Sequence, residues 1–438
     1  MTAPMKAISK CWPTIEQYMD VESLVSASKS CHTLHSLIIH ATAGKIKASV
    51  VKIDTWPVCI DAYNKEQINW QSAPARIRHY APSVINAIHF PSLVRMRIGF
   101  PPDRTTWNGE ERLTENAHVV ALPMLARKLN DALQLEELVI DIQSLIKYET
   151  RLLGEGEIRH PNLYSILGEN LAKSIGRSCC FKRLTILNEG ILEVDGVQSK
   201  FSSAFLSAMI PVLRAGIDSL EEVTILCGAV PLSNDHHPDA GTKFFSALFS
   251  LRRLKTLRIQ LKSIHGPLLN ALVDASAALG TFPSRYLEEI SVMVPRSIVE
   301  DGRPLSFHTT SIAPFLRMCR NASSLRRCIL YVPFWDEESV RAMKHLFHGK
   351  PLLNELVANF HGYEDEDGVL LRYLAEFLQR RPSLSGLRIV LKGLGFVDEE
   401  SAEFAALQWY RSQDGEMCLR GDVNCDWKFV LLSSIPRD

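Results

Sequence analysis

One phrase returns along the whole chain: an apolar residue, two variable ones, a second apolar residue, one variable residue, then a third apolar one. It reads Leu93-Val-Arg-Met96-Arg-Ile98, Leu135-Glu-Glu-Leu138-Val-Ile140 and Phe181-Lys-Arg-Leu184-Thr-Ile186. It continues as Leu220-Glu-Glu-Val223-Thr-Ile225, Leu254-Lys-Thr-Leu257-Arg-Ile259 and Leu287-Glu-Glu-Ile290-Ser-Val292. Looser copies follow at Leu325-Arg-Arg-Cys328-Ile-Leu330, Leu353-Asn-Glu-Leu356-Val-Ala358 and Leu384-Ser-Gly-Leu387-Arg-Ile389. Self-similarity of this kind constrains the fold tightly. No single unit buries its own apolar face, so each must stack on its neighbours, and the expected result is a solenoid.

Between phrases lie stretches with helical spacing of apolar residues. His118 to Leu133 places Val119, Leu122, Leu125, Ala126 and Leu129 on one helical stripe, and Leu163 to Ile175 does so through Ile166, Leu167 and Leu171. Phe244–Leu251, Leu268–Leu279, Ile312–Cys319, Val340–Phe347 and Val369–Leu378 continue the series. The unit is helix, turn, short strand, which predicts an α/β solenoid with parallel strands on a concave face and helices on a convex one. Side chains alternate along a strand. With the apolar residues of the phrase turned to the core, the inner face is lined by Arg95, Arg97, Glu137, Asp141, Arg183, Thr185, Thr224, Thr256, Arg258 and Gln260. Glu289, Ser291, Arg327, Tyr331, Asn359 and Arg388 continue it. Binding energy concentrates in arginine and aromatic residues, so Arg95, Arg97, Arg258, Arg327, Tyr331 and Arg388 are the expected anchors, with Glu137 and Asp141 as acidic members.

The phrase and its intervening helices resemble the leucine-rich repeat, in its helix-containing, ribonuclease-inhibitor-like form. Copies begin 28 to 46 residues apart, longer than the usual unit of about 20–29 residues. The asparagine common after the third apolar residue is replaced by Gly99-Phe100, Asp141-Ile142 and Gln260-Leu261. The resemblance is therefore to a divergent array with insertions on one side, spanning residues 45–412. Asp54 to Phe90, with Trp56, Trp70, Pro74 and Tyr80, reads as an atypical first unit behind a strand at Ser49–Asp54. Residues 413–438, with Cys418-Leu-Arg and Trp427-Lys-Phe-Val-Leu-Leu, read as terminal strands of a cap. Arrays need atypical ends to cover the last apolar face.

Ahead of the array, residues 8–44 include Cys11-Trp12-Pro13-Thr14-Ile15-Glu16-Gln17-Tyr18-Met19-Asp20, then Ser23-Leu24 and Ala27-Ser28-Lys29-Ser30-Cys31. This order of proline, short helix, acidic turn and further short helices resembles the F-box. Pro13 matches its leading proline, Ile15 and Met19 its first helix, and Ser23-Leu24 its central pair. The leading leucine is absent, and Leu34 stands where a tryptophan is usual. The resemblance implies that Pro13, Ile15, Met19 and Leu24 dock a Skp-type adaptor of a cullin–RING ubiquitin ligase, with the substrate protein held on the concave face. The alternative is a repeat scaffold or regulator in which residues 8–44 only cap the array.

Composition narrows the partners. The 438 residues are 46% hydrophobic and 22% charged, as in ordinary folded proteins. The 49 basic and 49 acidic residues cancel, so no long-range field favours nucleic acid or anionic lipid, and neither is expected as a partner. No run approaches the roughly 18 apolar residues of a membrane span, and Met1–Lys10 has no apolar core of a secretory signal. Ten scattered cysteines, several in apolar slots of the phrase, fit reduced buried thiols and a cytoplasmic or nuclear location.

Signals for catalysis are thin. GxxxxGK[ST], HExxH, GxSxG and CxxC are all absent, so no enzyme activity and no cofactor is expected. Ser233-Asn-Asp-His236-His237-Pro-Asp239 is the densest polar cluster, but adjacent histidines on a loop rarely aim at one ion. It reads as a solvated loop, and no metal site is expected.

Overall fold

The computed structural model describes residues 50–55, 58–63, 76–78, 85–86, 88–99, 124–125, 127–141, 162–177, 180–188, 197–227, 239–261, 266–294, 311–332, 334–348, 350–363, 369–379, 388–394, 409–411, 416–419 and 428–433. The F-box-like segment with Pro13, Ile15, Met19 and Leu24 lies outside them, as do residues 233–238. The chain divides into two compact units, one formed by Met1–Asn188 with Pro211–Ser219, the other by Glu189–Ile210 with Leu220–Asp438.

In the first unit, β1 (Val50–Thr55), β2 (Val58–Tyr63) and β3 (Arg76–Arg78) precede β4 (Arg95–Gly99), β5 (Glu137–Asp141), α1 (Asn162–Arg177) and β6 (Arg183–Asn188). Strands β1, β4, β5 and β6 pair in parallel, while β1, β2 and β3 form an antiparallel meander at the other side of β1. The strand expected at Ser49–Asp54 is β1.

The second unit alternates β7 (Glu222–Cys227), α3 (Ala240–Phe249), β8 (Thr256–Leu261), α4 (Gly266–Leu279), β9 (Glu289–Met293), α5 (Ala313–Met318) and β10 (Arg327–Tyr331). Next come α6 (Glu337–Ala342), α7 (Lys344–Phe347), β11 (Glu355–Tyr363), α8 (Val369–Gln379) and β12 (Arg388–Leu394). The last strands are β13 (Trp409–Arg411), β14 (Glu416–Leu419) and β15 (Lys428–Ser433). Strands β7 to β12 pair in parallel in sequence order, and β15 adds in parallel to β12. Strands β14 and β13 then fold back antiparallel. Helix α2 (Val197–Ala215) has its residues to Ile210 in the second unit and those from Pro211 in the first.

From β4 to β11 each repeat strand starts at the second variable residue of its phrase, and registers set equivalent positions opposite each other: Leu138 faces Leu184, and Ile290 faces both Leu257 and Cys328. The last copy departs: β12 starts at Arg388, and its register sets Ile389 opposite Leu356 and Leu391 opposite Ala358, two residues beyond the phrase expected at Leu384-Ser-Gly-Leu387-Arg-Ile389. The phrase therefore acts as a register code. A one-residue slip would turn every apolar residue to the wrong face. Its apolar members are the core: from Leu93 through Leu353, the first residues of the phrases in the described units are at most 1% exposed.

A second regular feature ties repeat to repeat. The carbonyl of the first variable residue accepts two backbone N–H groups from the next repeat. Glu136 O accepts from Lys182 and Arg183, each at 2.9 Å. In the second unit Glu221 O accepts from Lys255 and Thr256 at 2.7 and 3.0 Å, and Lys255 O from Glu288 and Glu289 at 2.8 and 2.9 Å. Glu288 O and Arg326 O repeat the pattern toward Arg326–Arg327 and Asn354–Glu355. Both lone pairs of each carbonyl are used just where the chain enters the strand, so the turn before the strand leaves no orphan acceptor. Each unit thus has a repeat-like α/β architecture of stacked parallel strands and helices, as a solenoid requires.

Helices cover the face to which the phrases turn their apolar residues. In the second unit Phe245, Phe249, Phe282 and Phe315 meet in a chain of ring contacts at 5.4 to 6.3 Å. Two helices depart from the expected pattern. Helix α2 falls between phrases where no helix is expected, because Ser202, Ser203 and the internal Pro211 blur the apolar stripe. The stretch expected as one helix over Val340–Phe347 is two, α6 and α7. It begins earlier because Asp336 caps it, accepting from Ser339 N at 2.8 Å, with Glu337 and Glu338 in the first turn. Among the described residues no helix is long and apolar enough to cross a membrane.

Candidate functional site

The strand face turned away from the phrase's apolar residues carries the first, third and fifth residues of each strand. In β10 the burial alternates strictly, with Arg327, Ile329 and Tyr331 half-buried and Cys328 and Leu330 fully buried. Registers align these positions into rows across the strands. The first row runs Arg95, Glu137, Arg183 in one unit and Glu222, Thr256, Glu289, Arg327, Glu355, Arg388 in the other.

The signs of this row alternate, for an electrostatic reason. Parallel strands in register bring equivalent side chains about 4.8 Å apart, where like charges repel. In the first unit Glu137 lies 3.4 Å from Arg95 and 3.1 Å from Arg183, one carboxylate shared by two guanidiniums. In the second unit Thr256 separates Glu222 from Glu289. Glu289 then accepts two hydrogen bonds from Arg258, at 2.7 and 2.9 Å, and lies 3.6 Å from Arg327. Arg327 Nε stands 2.7 Å from Glu355 Oε2, an ion pair whose angle falls short of a hydrogen bond. A parallel row at the strand entrance repeats the device: Lys255 and Arg253 reach Glu221 at 2.7 and 4.0 Å, and Arg326 reaches Glu288 at 3.7 Å.

These pairs show in the titration of their members. The hydrogen bonds from Arg258 hold the Glu289 carboxyl below the usual glutamate range, helped by the charges of Arg258 and Arg327 and opposed by burial. The same hydrogen bonds raise Arg258. The arginines expected as anchors are therefore not equivalent. Arg258 and Arg327 are committed to glutamates of neighbouring repeats, and Arg95 shares Glu137. Arg97 differs in lacking an ion pair among the described residues: its Nε, like that of Arg327, is buried without a hydrogen bond, but no carboxylate stands beside it. Arg388 lies opposite Glu355 in register, and Asp141 opposite Leu187; their side chains lie outside the described residues.

The face is also more apolar than the alternation rule alone predicts. Val139, beside Arg97 and Thr185 in the third row, is 7% exposed. In the second unit Ile329 and Tyr331 pack against buried Val357. The sequence signal lies in the phrase itself, where Leu138-Val-Ile140, Cys328-Ile-Leu330 and Leu356-Val-Ala358 run three apolar residues together instead of alternating.

Away from this face, Lys350 is buried and donates to Arg320 O at 2.7 Å, at the end of the α5 segment. Burial lowers its pKa. The neighbouring thiols of Cys319 and Cys328 are fully buried, and burial pushes Cys319 up to about 12 and Cys328 well above its ordinary value. Thiols so protonated are poor nucleophiles. Among the described residues no cluster of three or more His, Cys, Asp or Glu side chains is arranged to hold a metal ion. Comparison of the chain with protein-family models gives no match, and comparison with curated proteins gives none.

Proposed function

We propose that this chain is a non-catalytic protein-binding module of the leucine-rich-repeat type, acting as the substrate-recognition subunit of a cullin–RING ubiquitin ligase. The observation that carries the binding part of the reading is the regular register of the strands. Equivalent residues of successive repeats stand side by side, giving a continuous platform of polar and apolar rows of the kind repeat arrays use to hold a protein or peptide. The ligase part rests on the F-box-like grammar of residues 8–44 and on its position ahead of the repeats. In this reading Pro13, Ile15, Met19 and Leu24 hold a Skp-type adaptor, and the strand face holds the substrate protein. Such a protein breaks no bond itself, needs no cofactor and works in the cytoplasm or nucleus.

The test is capture of a Skp-type adaptor and cullin by the full chain, by a chain lacking residues 1 to 44, and by a Met19→Asp/Leu24→Asp variant. The reading expects adaptor and cullin with the full chain only. Absence from all three leaves a repeat scaffold without a ligase connection.

A further inference from the structure

Away from the strand face, the second unit carries a rim where each helix gives way to the next strand. Register makes the residue before each phrase equivalent, so Tyr286, Ser324 and Leu352 stand in one row ahead of β9, β10 and β11. Ser324 Oγ donates to Arg285 O at 2.8 Å and ties two of these connections together. Tyr286 is 57% exposed and Leu352 42%; among the described residues of this unit they are the large apolar side chains left in solvent. Two strand spacings, about 10 Å, separate their backbones, which leaves room over Ser324 for one large side chain to touch both.

The charge of this rim is one-sided. The connections 250–256, 280–289 and 319–327 are described in full, and 343–355 save for Gly349. They carry nine lysines and arginines against Glu288, Glu289 and Glu355, so the rim is basic in a chain whose charges cancel. Some of its cations are spent: Lys255 and Arg253 reach Glu221, and Arg326 reaches Glu288. Arg285, Arg320 and Lys344 are exposed and make no ion pair among the described residues. Burial lowers the His345 pKa, and the charges of Lys344, Arg320 and Arg317 lower it further, which places those cations around one imidazole. A helix end favours a cation, which suits Arg320 and Lys344 in the last turns of their helices. It does not account for Arg285, which lies beyond Gly280, where a positive φ follows the end of α4.

We propose that this rim docks an acidic segment of a protein partner, with carboxylates against Arg285, Arg320 and Lys344 and an apolar side chain between Tyr286 and Leu352. The three cations come from three successive connections. That spread suits several single charges along an extended segment better than one phosphate, which calls for donors converging on a point. The exposed apolar pair favours protein over nucleic acid, because a phosphate backbone has nothing to set against Leu352 and Glu288 would repel it. This surface is separate from the strand face, so the proposal rests neither on that face nor on residues 8–44.

The test is fluorescence anisotropy of the full chain at low salt with short labelled peptides. One alternates glutamate and alanine around a central phenylalanine, a second has glutamine for glutamate, and a third has alanine at the centre. The glutamate peptide should bind about tenfold tighter than the glutamine peptide, the combined effect of about three exposed ion pairs. It should also bind tighter than the alanine-centred peptide, and Tyr286→Ser/Leu352→Ser should erase that difference. Arg285→Gln/Arg320→Gln/Lys344→Gln should erase the preference for glutamate while melting within about 3 °C of the parent, as exposed side chains without an ion pair contribute little to the fold. Arg258→Gln, on the strand face of the same unit, should bind as the parent does. Equal binding of the glutamate and glutamine peptides would overturn the proposal. So would parent-like binding by the triple variant, or its melting far below the parent, because those cations would then hold the fold. Loss of the preference in Arg258→Gln would move the segment to the strand face, and tighter binding of a single-stranded oligonucleotide than of the glutamate peptide would put nucleic acid in its place; either result overturns it. Adaptor capture is read separately, so failure here leaves the ligase reading standing, and failure there leaves this one standing.

Discussion

The two units use the same strand face in opposite ways. In the second, each described arginine of that face is met by a glutamate from a neighbouring repeat at short range, with Glu289 accepting both donors of Arg258. In the first, Arg95 and Arg183 divide one carboxylate, and Arg97 has a buried donor with no acceptor. Arginine enrichment alone therefore does not mark a binding face. What matters is whether register hands the guanidinium a carboxylate from the next repeat. Where it does, the arginine fastens repeats together; where it does not, as at Arg97, that tie is missing.

The largest expected effect tests whether the units are separable at all. Phe249→Ala empties the centre of the phenylalanine cluster in the second unit and should cost about 3–5 kcal/mol. Hydrogen exchange should show lost protection in β8 to β10 with β4 to β6 unchanged. Equal loss in both would mean that the chain unfolds as one body and that the comparison concerns surface only.

Next comes Glu289→Gln, which removes the acceptor shared by Arg258 and Arg327. Both arginines are only partly buried, so a loss of about 1 kcal/mol is expected in urea unfolding. The pH dependence has a definite sign. The folded Glu289 value is depressed, so its contribution is complete above the ordinary glutamate value and is lost as pH falls through the lower folded value. The variant should lack that part of the acid limb.

Lys350 gives a smaller effect with a different signature. Its folded pKa lies below the unfolded one, so between the two the unfolded chain binds more protons and stability rises with pH in the alkaline range. Lys350→Met should flatten that rise and change stability at neutral pH by no more than about 1 kcal/mol, because replacing a buried charge by an apolar side chain is often neutral. Smallest is Arg97→Gln, expected to lie within about 0.5 kcal/mol of the parent in stability.

Much of the fold was legible in the phrase. Its three apolar positions mark where strands begin, which side chains reach the core and which line the opposite face, because all three follow from the two-residue period of a strand. The helices were legible where an apolar stripe is unbroken, as in α4 and α8, and illegible where Pro211 and serines interrupt it in α2. The start of α6 could have been read from Asp336-Glu-Glu-Ser339, a capping pattern ahead of the apolar residues. The site was legible only as a list of face residues. Which arginines are spent depends on register between strands of different repeats, and Glu289 lies 31 residues from its partner Arg258. Nothing local to Arg97 distinguishes it from Arg95, yet one has a carboxylate beside it and the other has a buried donor without an acceptor.

The contrast between the faces is tested most directly by urea unfolding of Arg258→Gln and Arg97→Gln side by side at low salt, where surface ion pairs are least screened. The account predicts that Arg258→Gln loses about 1 kcal/mol, as Glu289→Gln does, and that Arg97→Gln loses nothing. A loss in Arg97→Gln equal to or greater than that in Arg258→Gln would contradict it, because Arg97 would then fasten the fold as Arg258 does.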